Sequence, residues 1–202
     1  MKKSLVMLLC ATSLLLIGCK GKNDFENSKG NGSDNGYEYI DMGLSVRWAK
    51  VNIGATSQSE IGSYFSWGEI SPKNTYSPDN YHYTGTTKLP LSDDAANMNW
   101  GGEWRMPTIS EWKELMSIDN CIWTWTTEVG MKGYKVESKK TGNYIFLPAG
   151  GFHDISRIYG YNVYGDYRTS TNSYNVPVIS ETEYSFTGSS GYVGMPIRPV
   201  HP

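Results

Sequence analysis

The sequence predicts an α+β domain with a mainly antiparallel sheet, one amphipathic helix at about 108–117 and long irregular loops. Three observations carry this reading. "CIWTWTTEV" (121–129) and "GYKVES" (133–138) alternate apolar and polar residues, and "YIFLPA" (144–149) follows them across the turn "KKTGN", so a meander is expected. Thr108-Ile109-Ser110-Glu111 is a T-x-x-E capping box behind Pro107, and Ile109, Trp112, Leu115 and Met116 follow it on one helical face. Residues 150–191 are dense in Tyr, Asn, Ser, Thr and Gly with weak hydrophobic periodicity, which reads as extended loop structure.

From the N-terminus, Lys2 and Lys3 precede the apolar run "LVMLLCATSLLLIG", which has the length of a signal peptide and is too short to span a bilayer. The run ends in Leu16-Ile17-Gly18-Cys19, which resembles the lipobox of bacterial lipoproteins. That resemblance implies cleavage after residue 18 and lipidation of Cys19. Several acyl chains on one residue give stable anchoring. Lys20, Asp24 and Glu26 after the cysteine point, by analogy with sorting rules, to the outer membrane or cell surface. Residues 19–36 are then the lipidated cysteine and a polar tether, with a random-coil reach of about 20–25 Å. Residues 37–202 have the size of one domain.

Removing Lys2 and Lys3 leaves 16 basic against 20 acidic residues, a net charge of −4, with no basic block, so nucleic acid is not an expected partner. Of the cysteines, Cys10 leaves with the signal and Cys19 is lipidated, so Cys121 has no intramolecular partner. The core must then rest on apolar packing, which the seven Trp, fifteen Tyr and five Phe are suited to supply.

Within the domain, "YEYIDMGLSVRWAKVNIGA" (37–55) reads as two strands turning at Asp41-Met42-Gly43, and "SYFSWGE" (63–69) as a short aromatic strand. Residues 71–92, with Pro72, Pro78 and Pro90, read as a surface excursion. "LSDDAANMNW" predicts a short helix capped by Ser92 or Asp93. Cys121, Trp123 and Trp125 share one strand face, and the continuously apolar "YIFLPA" predicts a central strand. "YVGMPIRPV" predicts a last strand at a sheet margin, since prolines break it.

Six blocks in order, "YIDMGLSVRWAKVNIGA", "YFSWGEISPK", "DDAANMNWGGEWRMPTISEW", "WTWT", "GYKVESKKTGNYIFLPAGG" and "IRPV", resemble the Fibrobacter succinogenes major paralogous domain. That domain belongs to the group similar to the formylglycine-generating-enzyme variant of the C-type-lectin-like fold. The resemblance covers about 37–201 and implies a compact C-type-lectin-like domain on an exported protein, without implying an activity. Relatives often carry W-S-S-S where this chain has Tyr167-Arg168-Thr169-Ser170. Formylglycine-generating enzymes hold copper on paired cysteines late in the domain. No cysteine follows Cys121, so an oxidase is not expected.

No catalytic residues, metal site or cofactor are expected. His82, His153 and His201 lack metal-ligand spacing, and His153-Asp154 has no nucleophile context. The lectin calcium tracts Glu-Pro-Asn, Gln-Pro-Asp and Trp-Asn-Asp do not occur. Trp104, Arg105, Thr108, Glu111 and Trp112 are expected to be structural, with Arg105 paired to a buried carboxylate or to carbonyls. A ligand site is expected among Tyr159, Tyr161, Asn162, Tyr164, Tyr167, Asn172, Tyr174 and Asn175, because tyrosine gives rigid contact area and Asn gives adaptable hydrogen bonds. These expectations describe a lipid-anchored, non-enzymatic recognition domain for a glycan or protein at the cell surface. A structural part of a surface assembly and a divergent polysaccharide hydrolase are the alternatives.

Overall fold

The computed structural model describes residues 30–85, 87–171 and 175–202. The leader, Cys19, Asn172 and Tyr174 lie outside the described residues. In chain order the elements are β1 (Gly32–Asp34), β2 (Tyr37–Ile40), β3 (Arg47–Ala49), α1 (Ala95–Trp100), α2 (Ile109–Met116), β4 (Cys121–Glu128), β5 (Met131–Ser138), β6 (Tyr144–Pro148), β7 (Phe152–Asp154), β8 (Arg157–Tyr159), β9 (Tyr164–Asp166), β10 (Asn175–Ser180), β11 (Tyr184–Gly188) and β12 (Val200–His201). Every strand pair is antiparallel, in sheets ordered β1-β2-β3-β12, β4-β5-β6, β11-β10-β9 and β7-β8. The α+β class with mainly antiparallel sheet is therefore as expected.

The domain begins earlier than residue 37. Asn35 and Gly36, at φ 47° and 84°, form a two-residue loop between β1 and β2. Both central residues are left-handed, as a type I′ turn requires, and Asn-Gly is the pair that best tolerates it. Asp34 anchors this hairpin: its carboxylate accepts from the Glu103 amide, and its carbonyl accepts from Trp104 Nε1. Residues 32–36, read from composition as tether, are thus part of the first sheet. Residues 41–46 connect β2 to β3, and β12 closes the sheet as its marginal strand.

The α2 capping box forms as its sequence dictates. Thr108 Oγ1 accepts from the Glu111 amide at 3.2 Å, and the Glu111 carboxylate accepts from the Thr108 amide at 2.8 Å. The buried face, Trp112, Leu115 and Met116, packs with Trp48, Val136, Ile145, Leu147, Tyr167 and Ile179 into the main core. A second core joins α1 to Ile53, Phe65, Trp67, Trp104, Met106 and Ile197. α1 is capped by Asp94, not by Ser92 or Asp93: the Asp94 carboxylate accepts from the amides of Ala96, Asn97 and Met106. Reaching Met106 as well as its own helix makes Asp94 the better bridge.

Four further expectations are corrected. Residues 150–191, read as loop, hold five strands among the described residues, β7 to β11, because hairpin pairing and not hydrophobic periodicity sets them, and the last strand expected over 192–200 shortens to Val200–His201. Residues 63–69 form no strand; Phe65 makes a single bridge with Met195, and the Trp67 amide bonds to the Gly191 carbonyl. β6 is an edge strand, not a central one, although it is buried on both faces from Ile145 to Leu147. Side chains close that edge: the Phe146 amide donates to Gln58 Oε1, and Arg198 Nη2 donates to the Phe146 carbonyl. An edge sealed in this way cannot template further pairing.

Buried irregular backbone needs partners for its carbonyls. Two fully buried arginines supply them. Arg168 donates to the carbonyls of Phe65, Ser190, Gly191 and Val193, and Arg198 to Asn52 Oδ1 and the carbonyls of Ala49, Lys50 and Phe146. Burial lowers both guanidinium pKa values to about 10, so both stay charged at neutral pH. They tie the long loops to the sheets where no ladder reaches.

Candidate functional site

The segment expected to bind ligand divides into a buried half and an exposed half. Tyr167 is 0% exposed: its ring packs on Trp112 and its hydroxyl donates to the Pro148 carbonyl at 2.8 Å. It belongs to the core and cannot meet a ligand. The whole stretch 167–170 is buried. Asn162, at φ 59°, spends its amide on fold. Its Oδ1 accepts from the Lys132 amide at 2.6 Å and its Nδ2 donates to the Gly130 carbonyl at 3.4 Å, pinning the 160–163 turn to the β4–β5 loop. Tyr164 is half-buried against Phe152, and its ring covers Gly160, where a Cβ would collide with it. Asn175 opens β10, paired with Gly188.

Tyr159 and Tyr161 are exposed. Tyr159 stacks on Phe152 across the β7–β8 hairpin. Tyr161, 56% exposed, lines a cleft of about 390 Å³ together with Ser57, Ser59, Glu60, Ile61, Val129, Gly130 and Met131. The size suits a small ligand group or a partner's side chain. The Glu60 carboxylate accepts from the Thr56 amide and hydroxyl, which hold its pKa below the ordinary value and keep it ionised at the cleft.

Exposed apolar side chains concentrate on the elements that supply Tyr161 and Val129 and on the adjoining hairpin. Of the twelve large hydrophobic residues exposed among the described residues, Val129, Ile155, Ile158, Tyr159, Tyr161 and Val163 lie on the β7–β8 hairpin, the adjoining 160–163 turn and the β4–β5 loop. Half of the exposed large apolar side chains thus sit on two neighbouring loops and one ribbon. Two of them are strained. Val129 and Ile155 hold left-handed φ values of 49° and 50°, a conformation that β-branched residues strongly resist. Neither gains burial in return, since Val129 is 95% and Ile155 61% exposed. Strain held without a packing gain concentrates at binding and switching sites. Tyr and Asn content does not mark these aliphatics. The signal available was β-branched residues inside an otherwise polar turn-rich run, "DISRIYGYNVYG".

The residues expected to be structural have structural contacts. Trp104 is fully buried, edge-on to Trp100 and His201 at 5.0 and 5.2 Å. Arg105 grips Glu111 end-on, Nη1 to Oε2 at 2.9 Å and Nη2 to Oε1 at 2.5 Å, and Nη1 also donates to the Met106 carbonyl. Burial opposes the Glu111 charge, but the Arg105 and Thr108 hydrogen bonds outweigh it and hold the carboxyl below its usual range. Trp112 meets Trp48 edge-on at 4.9 Å.

For chemistry, burial pushes the Cys121 thiol up to about 11, so it is protonated and a poor nucleophile at neutral pH. His153 packs against the rings of Tyr64 and Tyr76, and its burial lowers its pKa. Among the described residues no group of three or more His, Cys, Asp or Glu could hold a metal ion, and no helix is long and apolar enough to cross a membrane. No family model, curated protein or solved structure matches the chain.

Proposed function

We propose that this protein is a lipid-anchored recognition domain, and that its contact surface is the β7–β8 hairpin, the 160–163 turn and the Val129 loop. One observation carries the reading: half of the exposed large apolar side chains sit on these three elements, two of them strained, with Val129 and Tyr161 lining one cleft. A surface of this kind loses free energy to water until a partner covers it. The predominance of Val and Ile over aromatic residues favours a protein partner over a glycan, because sugar rings stack on aromatic faces. The lipobox resemblance at 16–19 and the six sequence blocks support, in the same proposal, display from a membrane and a C-type-lectin-like architecture. The assembly alternative would use the same surface with a copy of the chain or a fixed neighbour as partner.

The test is a screen of the full-length protein against protein and glycan arrays, beside the triple variant Ile158→Ser, Tyr161→Ser, Val163→Ser. All three residues are exposed, so the variant should fold. A saturable hit lost in the variant supports recognition here. A hit retained in full places recognition elsewhere.

A further inference from the structure

Another cleft is lined by the 88–91 stretch and the start of α2. It has a volume of about 580 Å³ and is lined by Lys88, Leu89, Pro90, Leu91, Arg105 and Thr108, with Asp94 and Ser170 behind. We propose that it binds a small amphiphilic monocarboxylate, with the ligand's carboxylate on Arg105 and its apolar body on Leu89, Pro90 and Leu91.

The case starts with the donors of Arg105. A guanidinium has five N–H groups in a planar fork. Arg105 spends one Nη1 hydrogen on Met106 and the end-on pair on Glu111. What remains is Nε–H and the Nη2–H beside it, and these have no partner among the described residues. They are the side-on edge, two parallel donors that match one carboxylate. Arg105 lines the cleft, and its end-on side is held by Glu111 on α2, so the edge available to a ligand is the side-on one. Lys88, exposed on the rim, has no ion pair among the described residues.

Charge sets the ligand class. Glu111 and Asp94 already balance two positive charges with Arg105 and Lys88 nearby, and their oxygens are taken by Arg105, Thr108 and the amides of Ala96, Asn97 and Met106. A monoanion with two coplanar oxygens fits that fork, and it brings the smallest charge to a cleft with no net positive charge to spare. A dianionic phosphate would meet both acids and too few donors. Leu91, 57% exposed, is a ready apolar wall for the rest of the molecule.

The experiment is a ligand-observed NMR titration of the full-length protein with 4-phenylbutyrate, its amide and phenyl phosphate. The carboxylate is expected to saturate and to bind at least tenfold tighter than either of the others. Arg105→Lys keeps the charge and removes the fork, and should lose at least tenfold. Because Arg105 also supports α2, Lys88→Gln and Leu91→Ser serve as exposed variants that leave the fold intact, each with a loss of threefold or more. No saturable binding of the acid, equal binding of acid and amide, tighter binding of the phosphate, or affinity unchanged in both exposed variants would each overturn the proposal.

Discussion

Replacing Val129 by Asn should make the protein more stable and worse at recognition. Val129 and Gly130, at φ 49° and 83°, form the two-residue loop between Glu128 and Met131, so the turn is type I′. A β-branched residue in that conformation costs about 1–2 kcal/mol, which Asn largely avoids. Val129 is 95% exposed, so almost no burial is lost with it. The net gain should be about 1 kcal/mol, a rise in Tm of about 2–4 °C for a domain of this size. Urea and thermal unfolding of the full-length protein measure it directly. A Tm that is unchanged or lower would refute the strain argument. The second readout is affinity for an array hit: Val129 lines the Tyr161 cleft, so binding should weaken while stability rises. Unchanged affinity would remove Val129 from the contact surface.

Three other outcomes are expected. Tyr167→Phe removes the buried bond to the Pro148 carbonyl, which keeps the Gly150 amide as a donor, so the loss should be about 1 kcal/mol by urea unfolding, with ligand binding unaffected. Thr108→Ala removes the α2 cap and should cost about 1 kcal/mol in the same assay, whereas a cost near zero would mean the capping box adds nothing. Burial raises the Asp166 carboxyl to about 6 despite Arg168, above its unfolded value. Its stabilising contribution is therefore complete below the unfolded pKa and is lost as pH rises through about 6, a loss of the order of 2–3 kcal/mol. Asp166→Asn should accordingly gain stability relative to wild type between pH 4 and pH 7, and parallel pH profiles for the two proteins would contradict this.

What the sequence revealed depended on how local the cause was. The α2 helix and the β4–β5 pair are set by residues within a few positions of one another: a capping box, a 3.6-residue stripe, an alternation. Each took the form expected. The Asn35-Gly36 loop was equally local, yet the polar composition around it hid a strand three residues long. Long-range partners were out of reach. "YFSWGE" is fixed by Met195 and Gly191, and the apolar run of β6 signals two buried faces without saying that Gln58 and Arg198 replace a neighbouring strand. Tyrosine is ambiguous for the same reason: Tyr161 and Tyr167 sit in one dense run, and only tertiary contacts separate the exposed ring from the core ring. Arg105 shows how the two kinds of reading join. A carboxylate or carbonyl partner was expected for it without a residue being named, Glu111 and the Met106 carbonyl fill that role, and the cleft beside it is lined by the distant 88–91 stretch.

The most direct measurement is hydroxyl-radical labelling of the protein on cells that produce it, compared with the purified protein. Met98, Ile118 and Ile122 are also exposed but lie outside the proposed surface, and serve as internal controls. Protection of Ile158, Tyr159, Tyr161 and Val163 on cells, with the controls labelled equally in both samples, is the expected result. Equal labelling of all seven residues in both samples would show that no partner covers this surface, and the recognition reading would fall.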